Sequence, residues 1–304
     1  MQLFFEQSLN GLQFSLTLFL LAAGLTLVFG IMDVINLAHG SLYMVGAYAG
    51  ALVAQRFGSF WIALPAALIV TALVGMLLER VIMRHLYGRD HLAQVLATFG
   101  LILFFNGFVT WVAGRSPLLM DIPPQLGGYI EIIPGVPYPM YRLMIIVLGI
   151  AVALGLWWLV AATRIGMLIR ASSERREIVS ALGMDVTKIF ALVFALGAIL
   201  AGLAGVVIGP IRSVQIGMGE QVLITAFVVI VVGGIGSIRG AFIGSLLIGM
   251  CDTLGRAYAP LFFKTQFSGQ VADGLGATTA SFLIYLLMAL VLIVRPRGLF
   301  PSGR

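Results

Sequence analysis

GLQFSLTLFLLAAGLTLVFGIMDVINLAHGSLYMVGAYAGALVAQ, residues 11–55, is the stretch on which the fold turns, and Asp33 is its only charged residue. Two apolar runs, 11–31 and 37–55, flank the polar interruption Asp33-Val34-Ile35-Asn36-Leu37-Ala38-His39-Gly40-Ser41. At 1.5 Å of rise per residue, each run is long enough as a helix to cross the roughly 30 Å hydrocarbon core of a bilayer. A water-soluble domain cannot hide such a pair of runs along its whole length. Lipid is therefore the solvent to reason with.

The pattern continues outward. Hydropathy predicts further spans at 60–82, 92–113, 141–163, 188–209, 221–235, 240–257 and 278–295, which gives about nine crossings in a range of about eight to ten. The seventh span is short and leads into Gly233, Gly234 and Gly236. It reads as a half-helix or a re-entrant element, because irregular backbone at membrane depth is tolerated only where protein or a water-filled cavity covers it. Composition agrees: the 304 residues are 61% hydrophobic and 10% charged, with a mean hydropathy of +1.09, against roughly 25% charged residues in a soluble domain. The expected fold is all-α, a polytopic integral membrane helix bundle forming one domain over 1–304.

The net charge is +6 and the pI about 9.8, yet the basic residues stand singly or in short groups between apolar spans. That distribution orients a protein in a membrane and gives no phosphate-binding face, so nucleic acid is not an expected partner. With the N-terminus outside, one side collects Arg80, Arg84, Arg89, Arg164, Arg170, Arg175, Arg176, Lys188, Arg239, Arg295, Arg297 and Arg304, which is twelve; the other collects Arg56, Arg115, Arg142, Arg212, Arg256 and Lys264, which is six. The richer side is assigned to the cytoplasm. A seventh segment that failed to cross would leave Arg295, Arg297 and Arg304 outside. Met1 to Asn10 hold no Lys or Arg and no small-residue cleavage site, so the first span reads as a retained helix. Cys251 is the only cysteine; no disulfide forms within the chain and redox chemistry has no support.

Two connections are long. The outer one, about 114–140, carries Pro117, Pro123, Pro124, Pro134, Pro137 and Pro139 with Gly127 and Gly128, and reads as a stiffened irregular loop. The cytoplasmic one, about 164–187, begins RIGMLIRASSERREIVSALGMDV. Ser173 is placed to cap a short helix with Glu174 in its first turn, Gly183 to end it, and Asp185 to cap the next membrane helix. Ile178, Val179 and Leu182 give that helix an apolar face, so it is expected to lie flat at the inner surface. It is either a capped, solvated connection or a docking element for a cytoplasmic partner.

Small residues repeat four apart at Gly46 and Gly50, Ala198 and Gly202, Ala201 and Gly205, Gly240 and Gly244, and Ser245 and Gly249, the spacing that lets helices pack closely in lipid. Asp33, Asn36 and His39 either face a cavity or a partner, as costly intramembrane polar residues do, or Asp33 and Asn36 cap the second helix while His39 bonds a backbone carbonyl. Asn106 lies deeper and either lines a pathway or bridges two helices. Glu220 and Asp252 lie near predicted helix ends, where interface solvation accounts for them. Thr225 and Thr253 complete the set.

Enzyme chemistry finds no support. His39, His85 and His91 show no metal-ligand spacing, carboxylates are scattered, and no catalytic or metal site emerges. The only lysines, Lys188 and Lys264, do not follow glycine, so the chain has no P-loop. If ATP drives it, another chain hydrolyses the ATP.

GLTLVFGIMDVINLAHGSLYMVGAY (Gly24 to Tyr48), LATFGLILF (Leu96 to Phe104), RIGMLIRASSERREIVSALGMDVTKI (Arg164 to Ile189), FALGAILAGLAGVV (Phe194 to Val207) and AFVVIVVGGIGSIRGAFIGSLLIG (Ala226 to Gly249) together resemble the permease subunits of branched-chain amino-acid ABC importers, of the LivH type. The blocks cover nearly the whole chain. The resemblance implies a type II ABC-importer-like permease, similar to the vitamin B12 and ribose importers, in the bacterial inner membrane. It implies a second homologous permease, two cytoplasmic ATPase subunits that carry ATP and Mg, and a periplasmic substrate-binding protein. The coupling element then falls on Ser173, Glu174, Arg175, Arg176, Glu177, Leu182, Gly183 and Asp185. No cofactor is expected in this chain itself. Similar permeases serve urea, short-chain amides and aromatic acids, so the substrate is expected among branched-chain or other hydrophobic amino acids with those as alternatives. A stand-alone secondary carrier is the other class of reading; it would place ionisable residues at mid-membrane.

Overall fold

Helix α1 runs from Gln2 to Met32 without interruption, because no Pro precedes Pro65 and from Phe14 onward its residues are apolar, small or hydroxylic. The computed structural model describes residues 2–174, 176–181 and 183–300. After an extended segment α2 spans His39–Phe57 and closes on Gly58, whose φ of +65° needs glycine. Then come α3 (Phe60–Leu78), a π-helical turn (Glu79–Met83) and the one-turn α4 (Arg84–Leu86). Asp90 caps α5 (His91–Ala113) through the Ala93 N–H. The remaining elements are β1 (Tyr129–Ile133), β2 (Val136–Pro139), α6 (Met140–Ala162), α7 (Arg164–Glu174), α8 (Arg176–Ala181), α9 (Val186–Ile208), α10 (Met218–Gly233), α11 (Ile238–Phe263) and α12 (Gly269–Val294).

Every hydropathy span is a helix. Among the described residues, seven helices are long and apolar enough to cross a membrane. The other two are α2, 19 residues with a polar start, and α10, 16 residues. The short seventh span is therefore as short as its sequence reads.

The expectation of an irregular outer loop needs correction. β1 and β2 form an antiparallel hairpin pairing Tyr129 with Pro139 and Glu131 with Pro137. Alternation let it form: Val136 and Tyr138 turn inward and are buried, while Pro137 faces out. Proline at an edge strand removes a donor that has no partner there.

Helices α1 and α9 are mostly enclosed by protein, whereas α3, α5, α6 and α12 present much of their length outward. Trp111 on α5 and Ile293 on α12 are more than 80% exposed, as lipid-facing side chains are. The centre is built on close backbone approach. Gly46 of α2 meets Gly202 of α9, and Gly205 of α9 meets the Tyr43 carbonyl, so two of the predicted small-residue ridges pack on one another. Connections meet one another at the two ends of the bundle. Leu118 and Val214 exchange backbone hydrogen bonds, which joins the long outer connection to the one after α9. At the opposite end Gly30 meets Gly236, and Leu299 and Phe300 donate to the carbonyls of Val232 and Gly233.

Candidate functional site

The break between α1 and α2 is where the polar residues converge. α2 does not begin at the end of the bundle. The His39 ring lies against Gly24, and Gly24 in turn faces Gly197, which lies about three turns into α9. The segment 33–38 therefore leads the chain back between helices before α2 starts. Asp33, exposed and at φ +54°, makes the turn; a non-glycine residue there is uncommon.

The expected caps are absent. Ala38 occupies the cap position of α2, and neither Asp33 nor Asn36 caps it. Asn36 is 1% exposed, and neither its amide nitrogen nor its oxygen has a hydrogen-bond partner. His39 is fully buried and its ring nitrogens also lack one; the Leu21 carbonyl lies within electrostatic reach but outside hydrogen-bond geometry. Ser41 and Thr26 are buried and unpartnered as well. A buried polar group left unpaired costs about 1 to 3 kcal/mol, so this concentration is expensive in the state seen here.

The first turn of α10 closes on the first turn of α2. A Cβ on Gly40 would fall 2.5 Å from the Gly219 carbonyl oxygen, so only glycine fits. Asn106, midway along α5, donates from Nδ2 to Glu220 Oε1 at 2.7 Å, which is the helix bridge expected of Asn106. Glu220 does sit near a helix end, but it is half-buried and engaged rather than solvated. Asp252 is corrected. α11 continues to Phe263, so Asp252 lies inside the helix, 8% exposed, with its carboxylate 2.8 Å from the Arg256 guanidinium.

A satisfied network at the start of α5 holds the break in place. Gln94 is 2% exposed. Its Oε1 accepts from the Ile35 N–H at 3.1 Å, and its Nε2 donates to the carbonyls of Leu86 and Arg89. Glu79, fully buried, accepts from the Tyr87 hydroxyl at 3.0 Å and from Arg84 at 3.5 Å. Sequence reasoning missed both residues; the signal available was a polar side chain facing the same interface as the 33–41 interruption.

The connection expected to face the cytoplasm is two short helices. Ser173 and Glu174 end α7 instead of opening a helix, because helical geometry already begins at Arg164. Arg176 and Glu177 belong to α8, while Arg175 and Leu182 lie outside the described residues. Gly183 terminates α8 at φ +80°, and Val179 is buried. Asp185 caps α9 as expected, accepting from Thr187 N–H at 3.1 Å and Lys188 N–H at 3.2 Å. The Lys188 N–H, with its ammonium and the Thr187 N–H, holds the Asp185 carboxyl below its ordinary range. Among the described residues no group of His, Cys, Asp and Glu is placed to hold a metal ion.

The sequence matches the family model described as branched-chain amino acid transport system / permease component over residues 7–292. It is 32% identical to the high-affinity branched-chain amino acid transport system permease protein BraD of Pseudomonas aeruginosa, over 97% of this chain and 95% of that one. It is 30% identical to the permease protein LivH of Escherichia coli over the same shares. A more distant relative, the ribose import permease protein RbsC of Escherichia coli, is 29% identical over 77% of this chain and 72% of its own. No solved structure matches. A helix bundle of membrane-spanning length, matched from end to end by permeases, makes this chain a multi-pass membrane protein of the branched-chain amino acid transport permease family.

Proposed function

We infer that this chain forms half of the translocation pathway of an ATP-driven importer for branched-chain or other hydrophobic amino acids in the bacterial inner membrane. The observation that carries this reading is the break between α1 and α2. A helix that begins inside the bundle is tolerable at membrane depth where protein covers it or a passage runs beside it, and polar groups that protein leaves unpartnered favour the passage. The energy comes from elsewhere: ATP and Mg act on two partner ATPase subunits, and the chain has no ATPase site of its own. A second homologous permease completes the pathway and a periplasmic binding protein delivers substrate to the outer connections. The coupling element is α8 with its flanks, from Ser173 to Asp185 and including Arg175, Arg176 and Leu182.

Reconstitution tests the reading. Labelled leucine is expected to enter proteoliposomes that hold both permeases, the ATPases and the binding protein, and only with ATP. Entry of urea, an amide or an aromatic acid in its place would move the substrate class. Charge reversal of Arg175 and Arg176 to Glu is expected to leave ATP hydrolysis without uptake, or to prevent assembly. Normal uptake by an intact complex would remove the coupling assignment.

One observation favours a second reading, a stand-alone carrier: the Glu220–Asn106 pair places an ionisable group beside the break. Leucine entry driven by this chain alone, without ATPases, would select it.

A further inference from the structure

Among the described residues, buried side-chain oxygens and nitrogens without a hydrogen-bond partner occur on nine residues, and four of these, Thr26, Asn36, His39 and Ser41, fall around the end of α1 and the start of α2. Such groups are rare in native proteins, and a cluster of them marks a place where something else supplies the partners. The helices that meet there reinforce the point. Ala38 and Gly217 stand at the cap positions of α2 and α10, and neither can cap its helix. By contrast α5, α9 and α11 are capped by Asp90, Asp185 and Ser237. The positive end of the helix dipole at a start without a side-chain cap favours negative charge.

Resting on the importer reading above, we propose that this junction holds the charged end of an amino acid in transit. The carboxylate takes Asn36 Nδ2 and the Ser41 hydroxyl, both without a partner here, at the positive end of α2. The ammonium takes the Glu220 carboxylate and Asn106 Oδ1, an oxygen that is itself buried and unpartnered. Glu220 settles the direction, since a second carboxylate beside it would be repelled while an ammonium is attracted. The need is physical: an apolar side chain passes an apolar bundle freely, but bare charged groups do not. In the state seen here the first turns of α2 and α10 are in contact, so the site is closed, with Glu220 held by Asn106 Nδ2 and the other groups unpaired.

The test uses the complete importer in proteoliposomes, with leucine-loaded binding protein, and reads leucine imported per ATP hydrolysed. Glu220→Gln keeps an oxygen for Asn106 but removes the charge, and is expected to lower the ratio about tenfold, which corresponds to roughly 1.4 kcal/mol. Glu220→Asp, which keeps the charge, is expected to recover most of it. Ser41→Ala, the loss of one oxygen, is expected to lower the ratio about threefold and decides the matter if the Gln variant does not assemble. Wild-type ratios in the variants that assemble would overturn the proposal and leave the junction to water alone. Equal impairment of the Gln and Asp variants, with uptake and hydrolysis falling in parallel, would make Glu220 a packing residue and also overturn it. A wild-type complex that imports no leucine would instead break the importer reading.

Discussion

Two polar clusters stand side by side in this protein, one saturated with hydrogen bonds and the other starved of them. Around Gln94 and Glu79 every buried polar side chain has found a partner, down to the Ile35 N–H. One residue along the chain, Asn36 has none, nor have His39 and Ser41. Both clusters are desolvated, so burial alone does not separate them. The difference is one of role: the first ties the returning chain to the start of α5 and the connection before it, and the second is left unpaired for a group that arrives. The satisfied cluster stabilises the fold, whereas the unsatisfied one destabilises this state and is retained for what it binds.

The largest expected effect comes from breaking the saturated side. Gln94→Leu orphans the Ile35 N–H and two carbonyls and is expected to cost about 3 kcal/mol, read as a lowered thermal midpoint of the purified protein in detergent; an unchanged midpoint would deny the network its structural role. Gly24→Ala comes next. Its methyl would lie 2.7 Å from the Gly197 carbonyl oxygen and 2.9 Å from His39 Nε2. Overpacking of about 1 to 3 kcal/mol, less the gain of about 1 kcal/mol for alanine in a helix, leaves a modest net loss in the same assay. Asn36→Leu sharpens the contrast because its sign is opposite: removing unpaired polar atoms at near-constant volume is expected to leave the midpoint unchanged or raise it by up to about 1 kcal/mol, while uptake by the assembled importer falls. A lowered midpoint with normal uptake would place Asn36 with Gln94.

The smallest effect is at Asp185, exposed at the start of α9. Its carboxyl titrates lower in the folded protein than in the unfolded chain, so its contribution is fully present above the unfolded value of about 3.9 and is lost as pH falls through the folded one. Protection of the Thr187 and Lys188 amides, taken relative to their intrinsic exchange rates, should fall over that acid range and stay level above it. Asp185→Asn should flatten the dependence.

Much of this was legible in the residues. The run 11–55 reads as two helices with a polar break, and the capping of α9 by Asp185 and the ending of α8 at Gly183 are visible because caps and left-handed terminators depend on neighbours within a few residues. Asn106 reads as a helix bridge, but its partner Glu220, distant in sequence, does not. The start of the cytoplasmic helices was misplaced, since Ser173 has the chemistry of a cap but Arg164 to Ser172 already had the freedom to be helical. Asp252 was misjudged because the end of α11 was placed too early; Pro260, which suggests a stop, is accommodated within the last turn.

By itself the sequence determined that the chain lives in lipid, where its helices fall, and which family it belongs to, because hydropathy, helix length and motif order are properties of the chain read locally. Only the tertiary structure decided which polar residues are satisfied. Gln94 and Asn36 are both buried amides, and composition cannot tell them apart. A hydrogen bond is a relation between two groups in space, and the partners that satisfy Gln94, or fail to meet Asn36, are chosen when the helices pack.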